Sequence, residues 1–373
     1  MKKILVTGGA GFIGSHLVEK LLAQGHIIRV LDSLVPQVHG ANAAWPAWVP
    51  AEVERQLSDV RDPGVWMRAL EGMDVVYHLA AEVGVGQSMY EIVRYMEANT
   101  MGTAQLLEIL AQRKFAIEKL IVASSMSIYG EGPYRTEDGR VVYPALRSTA
   151  VLEKRQWDSF SPEYEGALTP LPTNEEKPLQ PTSIYAISKR DQEEMCLSVG
   201  RAYDIPTVAA RFFNVYGPRQ ALSNPYTGVA AIFSGRLLNG KPPLIFEDGR
   251  QGRDFINVKD IVQGLVLAME RSGADYQAIN LGTGRRTSVL DIAEVLIKKL
   301  NVSVEPQIVS KFRAGDIRYC YADISKAQRL LGYQPSVALE DGIEELIGWL
   351  QQQTAEDKVD SAAAELAARG LTR

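Results

Sequence analysis

An α/β fold, a doubly wound parallel sheet with a smaller C-terminal α/β lobe, is predicted by three observations. Short β-branched runs alternate with longer amphipathic stretches through the first half of the chain. A glycine-rich loop lies directly between the first run and the first stretch, and an acidic residue closes the second run. Such strand–helix–strand alternation covers both faces of a parallel sheet.

In chain order, Lys3–Thr7, Ile27–Leu31, Val75–Leu79, Leu120–Ala123 and Ile205–Ala210 read as strands, being short and rich in Val, Ile and Leu. Phe12–Ala23, Tyr90–Gln112 and Ile184–Tyr203 read as the helices between them. From about Pro218 the alternation loosens. Helical stretches at Gly228–Leu238, Val289–Leu300 and Leu339–Gln352 fit a second lobe laid over the carboxyl ends of the strands, where open α/β sheets bind ligands. Asp254–Val258 and Ala278–Leu281 are expected to return the chain to the first lobe. The organisation that follows is a dinucleotide-binding lobe over 1–211 and 254–282, a substrate lobe over 212–253 and 283–353, and an Ala-rich tail over 354–373 that suits a frayed helix. Gly132–Gln180 interrupts the first lobe with prolines, charges and the aromatics Tyr134, Tyr143, Trp157, Phe160 and Tyr164. A loop this long is either functional, as a lid or subunit contact, or disordered; so many aromatics favour order.

Composition excludes several classes. The 373 residues are enough for two lobes, and the net charge of −5 gives no sign of a nucleic-acid surface. Two cysteines, Cys196 and Cys320, and four scattered histidines offer no metal-ligand spacing, so no metal is expected. No apolar run reaches the roughly 18 residues of a membrane span, and Gly8 and Gly9 cut short the one resemblance to a signal peptide. A cytoplasmic enzyme is the expectation.

The loop Thr7-Gly-Gly-Ala-Gly-Phe-Ile-Gly14 carries the first chemistry. Gly8 and Gly11 let backbone amides approach a pyrophosphate, Gly14 lets the helix pack close to the sheet, and the helix N-terminus adds partial positive charge. Asp32, 18 residues beyond Gly14, stands where a carboxylate accepts bonds from both hydroxyls of an adenosine ribose. It would repel a 2′-phosphate, and Arg29 lies inside the strand, so NAD is preferred to NADP. Asp59-Val60 falls where a third strand ends and could flank the adenine, although Asp59 equally suits a solvated turn.

Tyr185-Ala-Ile-Ser-Lys189 opens a helix, and the four-residue spacing puts both side chains on one face. A free tyrosine titrates at about 10, so it serves as a base only if a neighbouring positive charge favours its phenolate. Alone the pair is a common accident. Ser124-Ser125, at the end of a strand, adds a hydroxyl at the mouth of the sheet.

With these pieces in register, the chain resembles the extended short-chain dehydrogenase/reductases, which have a Rossmann-type fold, and among them the UDP-glucose 4-epimerase-like branch. The resemblance rests on Thr7–Gly14, His78-Leu-Ala-Ala81, Asn99-Thr-Met-Gly-Thr103, Ser124–Gly130, Tyr185–Lys189 and Arg211–Gly217, and runs from Lys3 to about Leu350 except across Gly132–Gln180. It implies Ser125, Tyr185 and Lys189 as the catalytic set. Phe12, Ile13, Leu79, Ala80, Ala81, Asn99 and Phe213 would join the glycines, Asp32, Asp59 and Val60 around NAD. Val85, Gly86, Gln87 and Ser88 would touch the sugar, with Cys320 beside it. Asn214, Arg253, Arg313 and Asp316 would hold the diphosphate and ribose of a nucleotide-diphosphate sugar. It also implies a homodimer through Tyr90–Gln112 and Ile184–Tyr203, although their apolar stripes equally suit packing on the sheet.

Dehydratases on this scaffold follow the catalytic hydroxyl residue with Asp-Glu; here Met126 and Ser127 stand instead, which favours 4-epimerisation. Arg211–Phe233 and Pro181–Glu194 resemble bacterial dTDP-L-rhamnose 4-epimerases; UDP-hexoses are the alternative substrates. A non-catalytic NAD-binding regulator would be expected to lack the tyrosine or the lysine, and an oxidoreductase would release NADH.

Overall fold

The computed structural model describes residues 1–40, 44–221, 228–313, 315–352 and 359–372. Leu222–Thr227 of the rhamnose-epimerase-like stretch, and the start of the tail, lie outside them.

Side-chain alternation in the strands decides how the central layer is built. Successive residues of a strand point to opposite faces, so in β1 (Lys3–Thr7) Ile4 and Val6 enter one core and Leu5 the other, all fully buried. β1 sits inside an all-parallel sheet with β2 (Ile27–Asp32), β3 (Glu54–Leu57), β4 (Val75–His78), β5 (Lys119–Ser125), β6 (Thr207–Phe212) and β7 (Gln277–Leu281). The seven strands run in the order β7-β6-β5-β4-β1-β2-β3. The order reverses between β1 and β4, and a crevice opens at their carboxyl ends.

One face is covered by α1 (Phe12–Ala23), through Leu17, Val18 and Leu21, and by a helix at Val258–Glu270, through Ile261 and Leu265. The other is covered by helices at Gly102–Ala111, through Leu106 and Leu110, and Ile184–Tyr203, through Cys196 and Leu197, with Trp66 beside them. A separate core of Tyr216, Phe233, Leu237, Ile245, Ile292, Leu296, Ile343 and Leu346 holds the C-terminal helices together.

The helix expected over Tyr90–Gln112 is divided into Ile92–Tyr95, a π-helical turn at Met96–Met101 and Gly102–Ala111. The wide turn carries buried Asn99 to the backbone of Glu82 and to the Ser188 hydroxyl, bonds that a straight helix would not align. Among the described residues Phe255–Asn257 pairs with Asn214–Tyr216 and not with the large sheet, while Gln277–Leu281 is that sheet's edge strand.

Gly132–Gln180 is ordered. Tyr134–Arg135 pairs with Val141–Val142 and Thr169–Pro170 in a small antiparallel sheet. Buried charge then binds the insertion to the C-terminal lobe: Arg147 donates to both oxygens of Glu247 at 2.8 and 2.9 Å. The tail forms a helix at Val359–Ala368, anchored by Arg236 and Lys241 on Asp360, and Thr372 bridges to Arg313.

Candidate active site

Three elements converge at the reversal of strand order. The first is the turn from β1 into α1. Gly8 has φ +71°, and a Cβ there would lie 2.9 Å from the Ala80 amide nitrogen; a Cβ on Gly14 would lie 2.2 Å from the Gly8 carbonyl oxygen. Only glycine fits either place. No side chain caps the α1 N-terminus at Gly11, which leaves its amides available to an anion.

The second is the end of β2. Asp32 is nearly buried; its carboxylate accepts from the Ala10 amide at 3.0 Å and the Leu34 amide at 2.9 Å, which fixes it beside the glycine turn. Arg29 is turned away, donating to the carbonyls of Arg68, Ala69 and Glu71.

The third is the pair formed by β5 and the helix Ile184–Tyr203, whose N-cap Ser183 accepts from the Ala186 amide at 3.1 Å. The Ser125 hydroxyl, at the end of β5, stands beside Tyr185 and accepts from the Ser127 hydroxyl at 2.9 Å. Burial raises the Tyr185 pKa above its ordinary value, and the Ser125 hydroxyl beside it draws it back. Lys189 is buried and donates to the Ala123 carbonyl and to Gln192 Oε1, both at 2.8 Å. Burial pushes its ammonium down to about 7.

A cleft of about 400 Å³ joins the three. Of the anticipated residues it is lined by Gly8, Gly11, Phe12, Ile13, Gly14, Asp32, Asp59, Val60, Leu79, Ala80, Ala81, Ser125, Tyr185, Lys189, Phe213 and Asn214. Asp59 carries Arg61 as a two-bond partner at 3.0 and 2.7 Å; burial raises the Asp59 pKa, but the Arg61 bonds outweigh it and leave the carboxyl below its usual range. Two buried oxygens in the wall, Asn214 Oδ1 and Gln220 Oε1, have no protein partner and suit a polar ligand.

Other anticipated residues stand off this cleft. Asn99 lies beneath it, fully buried, bracing Glu82 and Ser188. Val85–Ser88 forms a short helical turn. In it Ser88 Oγ accepts from the Tyr185 amide at 3.0 Å, while Gln87 bonds to Gln37 and Glu91. Arg253 donates to the carbonyls of Gly252, Ile317 and Arg318. Arg313, exposed, pairs with Asp316 at 2.9 Å and stacks over Phe246. Cys320 is buried against the Thr173 hydroxyl, and its strand pairs Arg253 with Cys320. Conversely, His39, Ser33, Ser58, Glu82 and Gln220 line the cleft without having been anticipated. Ser33, Ser58, Glu82 and Gln220 lie in connecting loops and His39 closes a four-residue helix, places where no periodicity or motif marks a residue.

The N-terminal part of the chain, residues 4–148, matches the model of the NAD-dependent epimerase/dehydratase family, and residues 147–346 match that of GDP-mannose 4,6-dehydratase. A dTDP-L-rhamnose 4-epimerase of Burkholderia thailandensis is 38% identical, over 94% of this chain and 96% of its own length. The chain belongs to the NAD-dependent epimerase/dehydratase family. A putative UDP-glucose 4-epimerase of Methanocaldococcus jannaschii is 32% identical, over 93% of this chain and 98% of its own. Among solved structures, UDP-glucose 4-epimerase from Thermotoga maritima with UDP-glucose superposes with a TM-score of 0.77 at 30% identity, covering 94% of this chain and 99% of that one. UDP-glucuronic acid 4-epimerase from Bacillus cereus with UDP-glucuronic acid and NAD gives 0.76 at 30% identity, with the same coverage.

For a member of this family, an extended short-chain dehydrogenase/reductase, the cleft is the place whose residues fit NAD. The glycine turn and the bare helix end fit a pyrophosphate, Asp32 fits a ribose, and Ser125, Tyr185 and Lys189 meet at the far end. The protein is an NAD-dependent epimerase.

Proposed function

We propose that the protein inverts C4 of a nucleotide-diphosphate sugar and that its substrate is dTDP-L-rhamnose, interconverted with dTDP-6-deoxy-L-talose. The observation that carries the reaction type is the Ser125–Tyr185 couple backed by Met126 and Ser127. Met126 is buried and Ser127 is bonded to Ser125, so no carboxyl pair stands behind the relay to remove water from the sugar. The sugar itself is supported by the relative at 38% identity.

Bound NAD⁺ supplies a hydride acceptor and, later in the cycle, the same hydride as donor. Tyr185 Oη takes the proton of the C4 hydroxyl as C4 becomes a carbonyl, and returns it after the sugar has turned over. Ser125 holds the C4 oxygen. Lys189 as ammonium favours the phenolate that Tyr185 needs, against the burial that opposes it. We assign Asn214, Arg253, Arg313 and Asp316 to the diphosphate and nucleotide ribose, since arginine forks suit a diphosphate, and Val85–Ser88 and Cys320 to the sugar. UDP-hexoses are the second reading, supported by the UDP-sugar epimerases it resembles.

The two-lobe division at 212–253 and 283–353 belongs to the same proposal. So does a homodimer, for which the outer groove between Gly102–Ala111 and Ile184–Tyr203, lined by Ala104, Leu107, Met195 and Tyr203, offers an apolar face. No helix among the described residues is long and apolar enough to cross a membrane, which is compatible with action in the cytoplasm.

The test is incubation of the purified protein with dTDP-L-rhamnose, dTDP-glucose, UDP-glucose and UDP-N-acetylglucosamine, with product stereochemistry read by NMR. Inversion at C4 of dTDP-L-rhamnose, without released NADH, is expected. A 4-keto-6-deoxy product from dTDP-glucose or UDP-glucose, formed as fast as epimerisation, would overturn the reaction type; turnover of the UDP sugars alone would overturn the substrate.

A further inference from the structure

Lys189 is held by a hydrogen-bonded chain that runs away from the cleft and returns to it. Its ammonium has three protons. One goes to the Ala123 carbonyl and one to Gln192 Oε1, each at 2.8 Å, which leaves the third for the cleft that Lys189 lines. Gln192 is fully buried, lies one turn further along the same helix and does not touch the cleft. Its Nε2 donates to Thr103 Oγ1 at 2.7 Å.

One ordering of the donors downstream leaves only the Gln192 Nε2–His78 Nε2 contact at 3.5 Å outside the chain of bonds. Thr103 gives its own proton to the Asn99 carbonyl at 2.6 Å, so the His78 Nε2 contact at 2.9 Å is a donation from histidine. His78 Nδ1 is then the acceptor for the Thr7 hydroxyl at 2.9 Å, and Thr7 Oγ1 accepts from the Ala80 amide at 3.1 Å. Thr7 precedes Gly8, and Ala80 is the residue Gly8 packs against. Every side chain in the chain is buried, and Thr103 Oγ1 accepts from both Gln192 and His78 while it donates to Asn99.

We propose that Gln192 is a positioning residue for the epimerase reaction: it holds Lys189 charged, with one N–H turned to the cleft, and couples it to the wall of the cofactor turn through Thr103, His78 and Thr7. The proposal rests on the assignment of Lys189 to the catalytic set.

The physical reason is the scarcity of other support. The titratable groups around Lys189 are Tyr185 and Cys196 on its own helix and His78 on β4. The Cys196 thiol is pushed up to about 12 and the imidazole down to about 3, both chiefly by burial, so both are neutral. Glu193, the neighbouring carboxylate, is taken by Arg211 and Ser124. An ammonium in such surroundings keeps its proton through neutral acceptors, of which Gln192 is one of two.

The sign follows. A depressed lysine is charged below its pKa and loses the charge as pH rises through it, so the alkaline limb of turnover reports Lys189. Gln192→Met keeps the length and removes both polar functions, which should lower that limb by about one pH unit, the scale of a lost charge-assisted bond. It should also weaken NAD binding while changing the sugar KM by less than about twofold, because Gln192 meets no substrate. Gln192→Glu keeps an acceptor and adds a charge, so its limb should move to higher pH. Circular dichroism and thermal unfolding check that both variants fold.

Opposite displacements of the two limbs, or the upward displacement of Gln192→Glu alone if the methionine variant does not fold, support the proposal. Folded variants that keep the parent limb overturn it, as does a methionine variant that is merely less stable with an unchanged pH profile. Lys189→Met distinguishes the underlying assignment: near-normal turnover there would remove Lys189 from the catalytic set, whereas an inactive Lys189→Met beside an unmoved Gln192→Met leaves that assignment standing and removes Gln192 alone.

Discussion

Tyr185 shows how little a residue's type decides before its surroundings are known. Burial raises its pKa, so the phenol keeps its proton unless the Ser125 hydroxyl and nearby positive charge oppose that effect. Tyr185→Phe removes one hydroxyl and leaves the ring's packing intact. Turnover should fall roughly 10²–10⁴-fold, the usual contribution of a general base, while NAD binding and the fold persist. Near-normal turnover would take away the proposed proton relay. At the opposite end of the cleft, Asp32 is the residue proposed to set the choice of cofactor. With Arg29 committed to carbonyls of the 68–71 turn, the basic groups among the described residues that line the cleft beside it are His39, 3.8 Å from its carboxylate, and Arg61, which Asp59 holds by two bonds. NAD should bind at least about tenfold more tightly than NADP, a preference that like-charge repulsion of about 1.4 kcal/mol accounts for. Asp32→Ala should narrow that gap in a titration of both cofactors.

Among the elements, the glycine turn leaves the least room for change. Gly14→Ala would drive a methyl to 2.2 Å from the Gly8 carbonyl, backbone against backbone, so α1 must move away from β1. The expected result is loss of NAD binding together with a lower unfolding temperature, read by cofactor titration and calorimetry. An alanine variant that binds NAD like the parent would show that the turn relaxes cheaply. The π-helical turn at Met96–Met101 teaches a complementary lesson. Its apolar pattern is helical, and the bonds of buried Asn99 to Glu82 and Ser188 fall within the stretch where the regular helix gives way.

For the molecule as a whole, the insertion at 132–180 is held to the C-terminal lobe by charge in a dry place. Arg147 and Glu247 are almost wholly removed from solvent, and Arg318 adds bonds to Asp248 and Asp158. Breaking a buried pair from one side leaves an uncompensated charge. Arg147→Met should therefore destabilise the protein by about 3–5 kcal/mol, measured by urea unfolding. A loss below 1 kcal/mol would mean that Arg318 satisfies Glu247 alone.

What the sequence determined by itself is local. β1, α1 and the helices Ile184–Tyr203 and Val289–Leu300 were readable to the residue because alternation, helical period and caps are short-range properties. The glycine turn and the Tyr185–Lys189 spacing were readable for the same reason, since each lies within one turn of chain. Tertiary structure alone decided the rest. Gln192 is legible as a polar residue on a helix, but its bonds to Lys189 and Thr103 join segments 89 positions apart. The insertion's order depends on Glu247, 100 positions beyond Arg147. Asn99 and Val85–Ser88 carry recognisable motifs, yet here they brace the cleft wall and the catalytic helix. Contacts between distant segments depend on where the whole chain places them, and no pattern along the sequence encodes that placement one residue at a time.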